Sequence, residues 1–339
     1  MPPLPPSRGA ISTFVLDALR HDARALEPFQ APAPADPLAD DDLQLALYVC
    51  YELHYRGFDS VDERWEWEPS LLGLRAQLEA QFERALEAAV PPLDPGPLPA
   101  PEEMDVALRA IADADDGPSL SRHLEREGTL EQLLEFCVHR SAYQLKEADP
   151  HSWALPRLGG APKAAMVEIQ ADEYGGGRAD RIHAELFAGT MRALGLDDGY
   201  GAYLDLIPGV TLATVNLMSL AGLHRRRRGA IVGHLALFEM TSSVPNRRYA
   251  NALRRLGLGE EATAFFDEHV VADAVHENIA AVDLAGGLVR QQPDLCADVL
   301  WGARALVELE ARWAAHLLDA WEAGRGSLRA PLQAVAPVA

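Results

Sequence analysis

Two copies of the pattern Asp-x-x-His stand in this sequence, Asp180 with His183 and Asp273 with His276. Each falls inside a stretch that reads as helix. Residues three apart on a helix are separated by about 60° around its axis, so a carboxylate and an imidazole at that spacing can face one ion. One such pair alone arises by chance in an acidic helical chain, where it serves as a cap or a solvated face. Two further carboxylates change the weight of the pattern: Glu147 precedes Asp180 by 33 residues, and Glu239 precedes Asp273 by 34. Each gap holds one helix, a turn and the start of the next. The order carboxylate, Asp-x-x-His, carboxylate, Asp-x-x-His is the inventory by which four-helix carboxylate bundles hold two iron or manganese ions, with Asp in place of the more usual Glu.

The surroundings of these residues are apolar. Glu239 ends the run Gly233-His234-Leu235-Ala236-Leu237-Phe238, and His183 precedes Ala184-Glu185-Leu186-Phe187. A charge among such neighbours is costly unless it is paired or bound to a cation. Carboxylate oxygens with two imidazoles and no thiolate suit iron or manganese better than a structural zinc. The competing reading is a buried salt-bridge network with Arg178, Arg181 and other arginines. His269 shares a helical face with Asp273 and His276, as a ligand, as an outer hydrogen-bond donor or as a surface histidine. His234, five residues before Glu239, lies on another face of its helix and reads as a core or outer-sphere histidine. Tyr143 and His139, one and two turns before Glu147, are candidates for outer-sphere hydrogen bonds or ordinary packing.

The elements that must position these residues are helices throughout. Alanine and leucine abound, β-branched runs are scarce, and apolar residues recur at spacings of three and four. Asp40 or Asp41 caps a helix running to about Arg56, and a second covers 70–90. The run Pro91-Pro92-Leu93-Asp94-Pro95-Gly96-Pro97 cannot remain helical and divides an N-terminal helical region, 1–100, from a main body, 101–330. In the body, helices are expected at 102–114, 129–148, 162–174, 178–194, 209–224, 228–241, 246–256, 260–285 and 296–323. The fold class is all-α, a multi-helix bundle.

Composition narrows the function classes. Thirty Lys and Arg against 51 Asp and Glu give a net charge of −21, which repels phosphate backbones and anionic membrane surfaces. Neither nucleic acid nor a membrane is an expected partner. The cluster Arg225 to Arg228 reads as a solvated helix turn. Cys50, Cys137 and Cys296 have no paired spacing, which fits a reducing cytoplasm, and no apolar run approaches the roughly 20 residues of a bilayer span. No Gly-rich nucleotide motif or cluster-binding cysteine set supplies electrons, so a redox role calls for an external reductant. A homodimer fits the base rates of soluble proteins.

The stretches Arg140 to His151, Glu168 to Gly175, Gly233 to Glu239 and Asp267 to Glu277 resemble the bacterial iron-containing redox enzymes of the haem-oxygenase-like dimetal oxidase superfamily. The resemblance covers about 100–320. It implies a seven-helix core without bound haem and two irons at the positions of Glu147, Asp180, His183, Glu239, Asp273 and His276. It also implies activation of dioxygen to oxidise a small molecule: N-oxygenation of an amine, or oxidative carbon–carbon cleavage of an amino or fatty acid, often in natural-product biosynthesis. Some members add a carboxylate about ten residues before the first-motif histidine, which here is Glu173. Asp180 departs from the Glu found in several relatives, and its shorter arm would loosen one iron. Glu173 precedes Gly175-Gly176-Gly177, an interruption that a regular helix disfavours. The alternatives are an iron-storage protein, a metal-free helical interaction protein and a haem-degrading enzyme.

Overall fold

Asp40 caps the expected helix of the N-terminal region. In a computed structural model its Oδ1 accepts from Asp42 N at 3.1 Å and Leu43 N at 2.8 Å, which caps a helix over Asp41–Glu52. The structure describes residues 1–332 other than 91, 94 and 95, with no side chains at 273 and 274. Among the described residues there is no strand. The all-α class is therefore as expected.

We number the helices in chain order. The N-terminal region holds α1 (Ala10–Leu19), α2 (Asp41–Glu52) and α3 (Pro69–Ala89). The short helix α1 was not anticipated; Ile11, Val15, Leu16 and Leu19 give it an apolar stripe, and Asp42 ties its first turn to α2 through Ile11 N and Ser12 N at 2.8 and 2.7 Å. The body follows with α4 (Met104–Asp113), α5 (Leu120–Arg126), α6 (Leu130–Gln144), α7 (Asp149–Ser152), α8 (Gly160–Glu173), α9 (His183–Ala193) and α10 (Gly209–Leu223). It ends with α11 (Arg228–Arg255), α12 (Glu260–Asn278), α13 (Gly287–Gln291) and α14 (Cys296–Glu322).

Helix α10 is buried on every side from Gly209 to Gly222, so it is a central strut. It is also where the N-terminal region joins the body: Asn216 Nδ2 donates to Gln44 O and Gln44 Oε1 at 2.9 and 2.8 Å, and the apolar core runs without interruption from Ile11 to Leu317. Helices α11 and α14 meet at Gly233 and Gly302, where a Cβ would strike the carbonyls of Val299 and Ala230. That close approach packs α11, the helix that carries Glu239, directly against α14.

Several boundaries differ from expectation: the helix expected at 129–148 ends at Gln144, which leaves Glu147 in the link before α7, and the one expected to run to about Arg56 ends at Glu52. The two helices expected at 228–241 and 246–256 are one, because α11 runs through Pro245. The helix expected at 260–285 changes after Asn278 to a π-helix over Ile279–Gly286. The helix expected from 178 begins only at His183; Ala179–Arg181 is an isolated 3₁₀ turn. Among the described residues no helix is long and apolar enough to cross a membrane.

Candidate metal centre

The break before His183 decides the site. Gly175, Gly176 and Gly177 take φ of +68°, +61° and +82°, values open to glycine and costly to residues with a Cβ. At Gly175 a Cβ would lie 2.6 Å from the Arg181 carbonyl carbon. The chain therefore ends α8 at Glu173, folds back on itself, and starts α9 at His183. Glu173 and His183 are both buried, and His183 Nδ1 stands 3.0 Å from Glu173 Oε2.

Asp180 is left outside. Its side chain is 71% exposed and paired with Arg178 at 2.9 Å. The placement of Asp180 beside His183 required a continuous helix, and the glycine turn removes it. Arg181 reaches Glu268 at 2.6 Å on the surface, so neither arginine enters the cluster as the salt-bridge reading required.

The other donors arrive on separate elements. Glu147 follows the end of α6, Glu239 lies in mid-α11, and His269 and His276 lie on α12, all buried. Two groups result, in each of which potential ligand atoms lie within 4.8 Å of one another: Glu147, Glu173, His183 and His269, and Glu173, Glu239 and His276. Glu173 belongs to both. His276 Nδ1 is 3.3 Å from Glu239 Oε2 and 4.0 Å from Glu173 Oε1. The sequence-derived candidates Glu147, His183, Glu239 and His276 thus come together, with Glu173 between them. The Asp273 side chain lies outside the described residues.

His269 and His276 are oriented from behind. The Phe265 carbonyl can only accept, so His269 Nδ1 donates to it at 2.8 Å and presents Nε2 to Glu147 Oε1 at 3.5 Å. His276 Nε2 faces Asp172 Oδ2 at 3.2 Å, the backing by a carboxylate that fixes the ring of a metal-bound histidine. The Asp172 contact was not anticipated. It could have been sought one residue before Glu173, but its direction depends on how α8 meets α12.

Charge and burial are strongly coupled here. Burial raises the Glu173 carboxyl, but His183, His269 and His276 outweigh it and hold the group below the usual range. Burial lowers His276, yet Glu239 and Glu173 lift it to about 9; His183 is likewise raised by Glu173 against its burial. Even so, Glu147 Oε2 is buried without a hydrogen bond, and the buried Glu173 Oε2–His183 Nδ1 pair is close but poorly aligned for one. Such atoms are expensive unless a cation completes them. Three carboxylates and three imidazoles without a thiolate fit iron or manganese.

Tyr143 and His234 lie behind the cluster. Tyr143 is packed edge-on to Phe238 and His151, and burial, then Glu147, Glu173 and Glu239, push its phenol well above the usual range. His234 Nδ1 meets His151 Nε2 at 3.1 Å, a buried pair that burial keeps neutral. On the other side, a cavity of about 540 Å³ reaches Glu147 and His269. Phe136, Phe187, Phe265 and Trp313 are among its apolar lining residues, and Arg140, Gln144 and Glu310 among its polar ones.

An all-helical bundle with a buried carboxylate–histidine cluster is an arrangement that could hold metal ions. A family model described as iron-containing redox enzyme matches residues 134–311, more than half of the chain, and the chain belongs to that family. The matched span contains every residue of the two donor groups. A comparison with curated proteins gives no match.

Proposed function

We propose that the chain is a non-haem diiron oxygenase or oxidase, one iron held by Glu147, Glu173, His183 and His269 and the other by Glu173, Glu239 and His276. The observation that carries this reading is the pair of buried donor groups sharing Glu173. When bound, the irons supply the activation of dioxygen, with electrons from an external reductant.

The chain's own residues do the rest. Phe265 and Asp172 orient the α12 histidines, and Phe136, Phe187, Phe265 and Trp313 give the cavity beside Glu147 an apolar surface. The cavity supports an organic substrate over iron storage, since it has room for a small molecule and opens directly on two of the donors. Gln144, buried between Arg140 and Glu147 along one wall, has its Oε1 unpartnered and offers that molecule a polar contact. N-oxygenation and carbon–carbon cleavage both remain within this proposal.

The test is anaerobic loading with ferrous iron, metal analysis, and stopped-flow absorbance on mixing with oxygen, for the native chain and His276→Ala. Uptake of about two irons per native chain and a transient visible band, both reduced in the variant, are expected. No iron uptake by the native chain would leave a metal-free helical interaction protein as the better reading.

A further inference from the structure

Glu147 is the one donor of the cluster carried on neither a regular helix nor a helix end. Residues 145–148 form a tight link between α6 and α7, in which Ala148 takes φ +72°. That conformation is unfavourable for a residue with a Cβ and persists only where surrounding contacts impose it. Two side-chain contacts to this link come from the N-terminal region, outside the span that matches the family.

The residue before Glu147 is Lys146, and it is 1% exposed. Its Nζ donates to Glu52 Oε2 at 2.9 Å, and Glu52, the last residue of α2, is 0% exposed. The Tyr200 hydroxyl lies 2.7 Å from both Glu52 oxygens, and the Tyr48 and Tyr55 rings cover the ammonium at 4.6 and 4.4 Å. A second tie lies alongside. Arg56 Nη2 donates to Leu145 O at 3.3 Å while its guanidinium stacks on Tyr200 at 4.4 Å. From the opposite side, Gln170 Nε2 donates to Ala148 O at 2.9 Å.

Glu147 thus sits between Lys146, drawn into the N-terminal region, and Ala148, held by α8. We propose that Glu52 and Arg56 are positioning residues for Glu147, so that the N-terminal region is a working part of the metal site. The inference rests on the iron-binding reading above. A packing role alone would make the Glu52–Lys146 pair matter for stability and leave metal affinity untouched. A positioning role makes it matter through Glu147.

The experiment uses the full chain. Breaking one partner would strand a buried charge, so the main variant is Glu52→Gln with Lys146→Met, which removes both charges together. Arg56→Leu, at an exposed position, is the second variant and keeps the test open if the first fails to fold. Each is measured by anaerobic ferrous titration, by the d–d absorption of bound cobalt(II), and by thermal unfolding of the metal-free chain. We expect the double variant to lose about tenfold or more in affinity for one of two ions, with a changed cobalt band, and Arg56→Leu to show a smaller loss of the same kind. In a Glu147→Ala background neither change should weaken binding further. Native-like affinity and cobalt spectra in the folded variants, or an equal loss in the Glu147→Ala background, overturn the positioning role and leave the iron reading standing. A native chain that takes up no ferrous or cobalt ion overturns both.

Discussion

Glu173→Gln should empty both metal positions, whereas His276→Ala should empty one. Glu173 belongs to both donor groups, while His276 belongs only to the group with Glu239. With free ferrous iron at about a hundred times its dissociation constant, each bound ion stabilises the native state by about 2.7 kcal/mol, so two add about 5 kcal/mol. At about 2–4 °C per kcal/mol for domains approaching this size, full loading raises the unfolding temperature by about 10–20 °C. His276→Ala should keep about half of that rise, because Glu147, Glu173, His183 and His269 remain. Glu173→Gln should lose nearly all of it. The assay is paired calorimetry of metal-free and loaded protein, with metal analysis after anaerobic desalting. Equal residual loading in the two variants would refute the shared role of Glu173, and with it the arrangement of the centre.

Three further outcomes are expected. Asp180→Asn should bind iron and unfold as the native chain does, since Asp180 is exposed and paired only with Arg178; loss of an iron in metal analysis would contradict its exclusion from the site. Gly175→Ala should destabilise the chain by about 1–3 kcal/mol and reduce iron uptake, because it strains the positive φ and presses on Arg181, separating Glu173 from His183. Urea unfolding and metal analysis check both halves of that prediction. His139, hydrogen-bonded to Thr211 and Ser327 at 2.7 and 3.0 Å, is held well below its usual pKa by burial, then by His316 and Arg140. The folded state keeps it neutral while the unfolded state gains a proton below about pH 6.5, so this group's stability contribution falls as pH falls, by up to about 1.4 kcal/mol per unit. The stability difference between the native chain and His139→Gln should therefore shrink from pH 7.5 to about 5.5, and a constant difference in urea unfolding would sink the argument.

Much of the molecule was legible in the sequence, for a definable reason. Within an unbroken helix the direction of a side chain follows from residue number, so the spacing of apolar residues marked the helices and the spacing of His269 and His276 marked one face of α12. The same logic failed at Asp180, because it assumed a helix through residues where Gly175–Gly177 fold the chain back. It could not choose among the roles open to Glu173 and His269, since their directions depend on how α8, α9 and α12 meet. Pro245 illustrates the opposite error: a local rule ends the helix there, yet the packing of α11 carries it onward. The hold of Glu52 and Arg56 on the Glu147 link joins residues about ninety positions apart and has no local signature. The sequence by itself determined the helical class, the acidic character and the supply of carboxylates and imidazoles. Only tertiary packing decided which of them share one buried volume, because burial and direction across a chain break are set by contacts that no local spacing encodes.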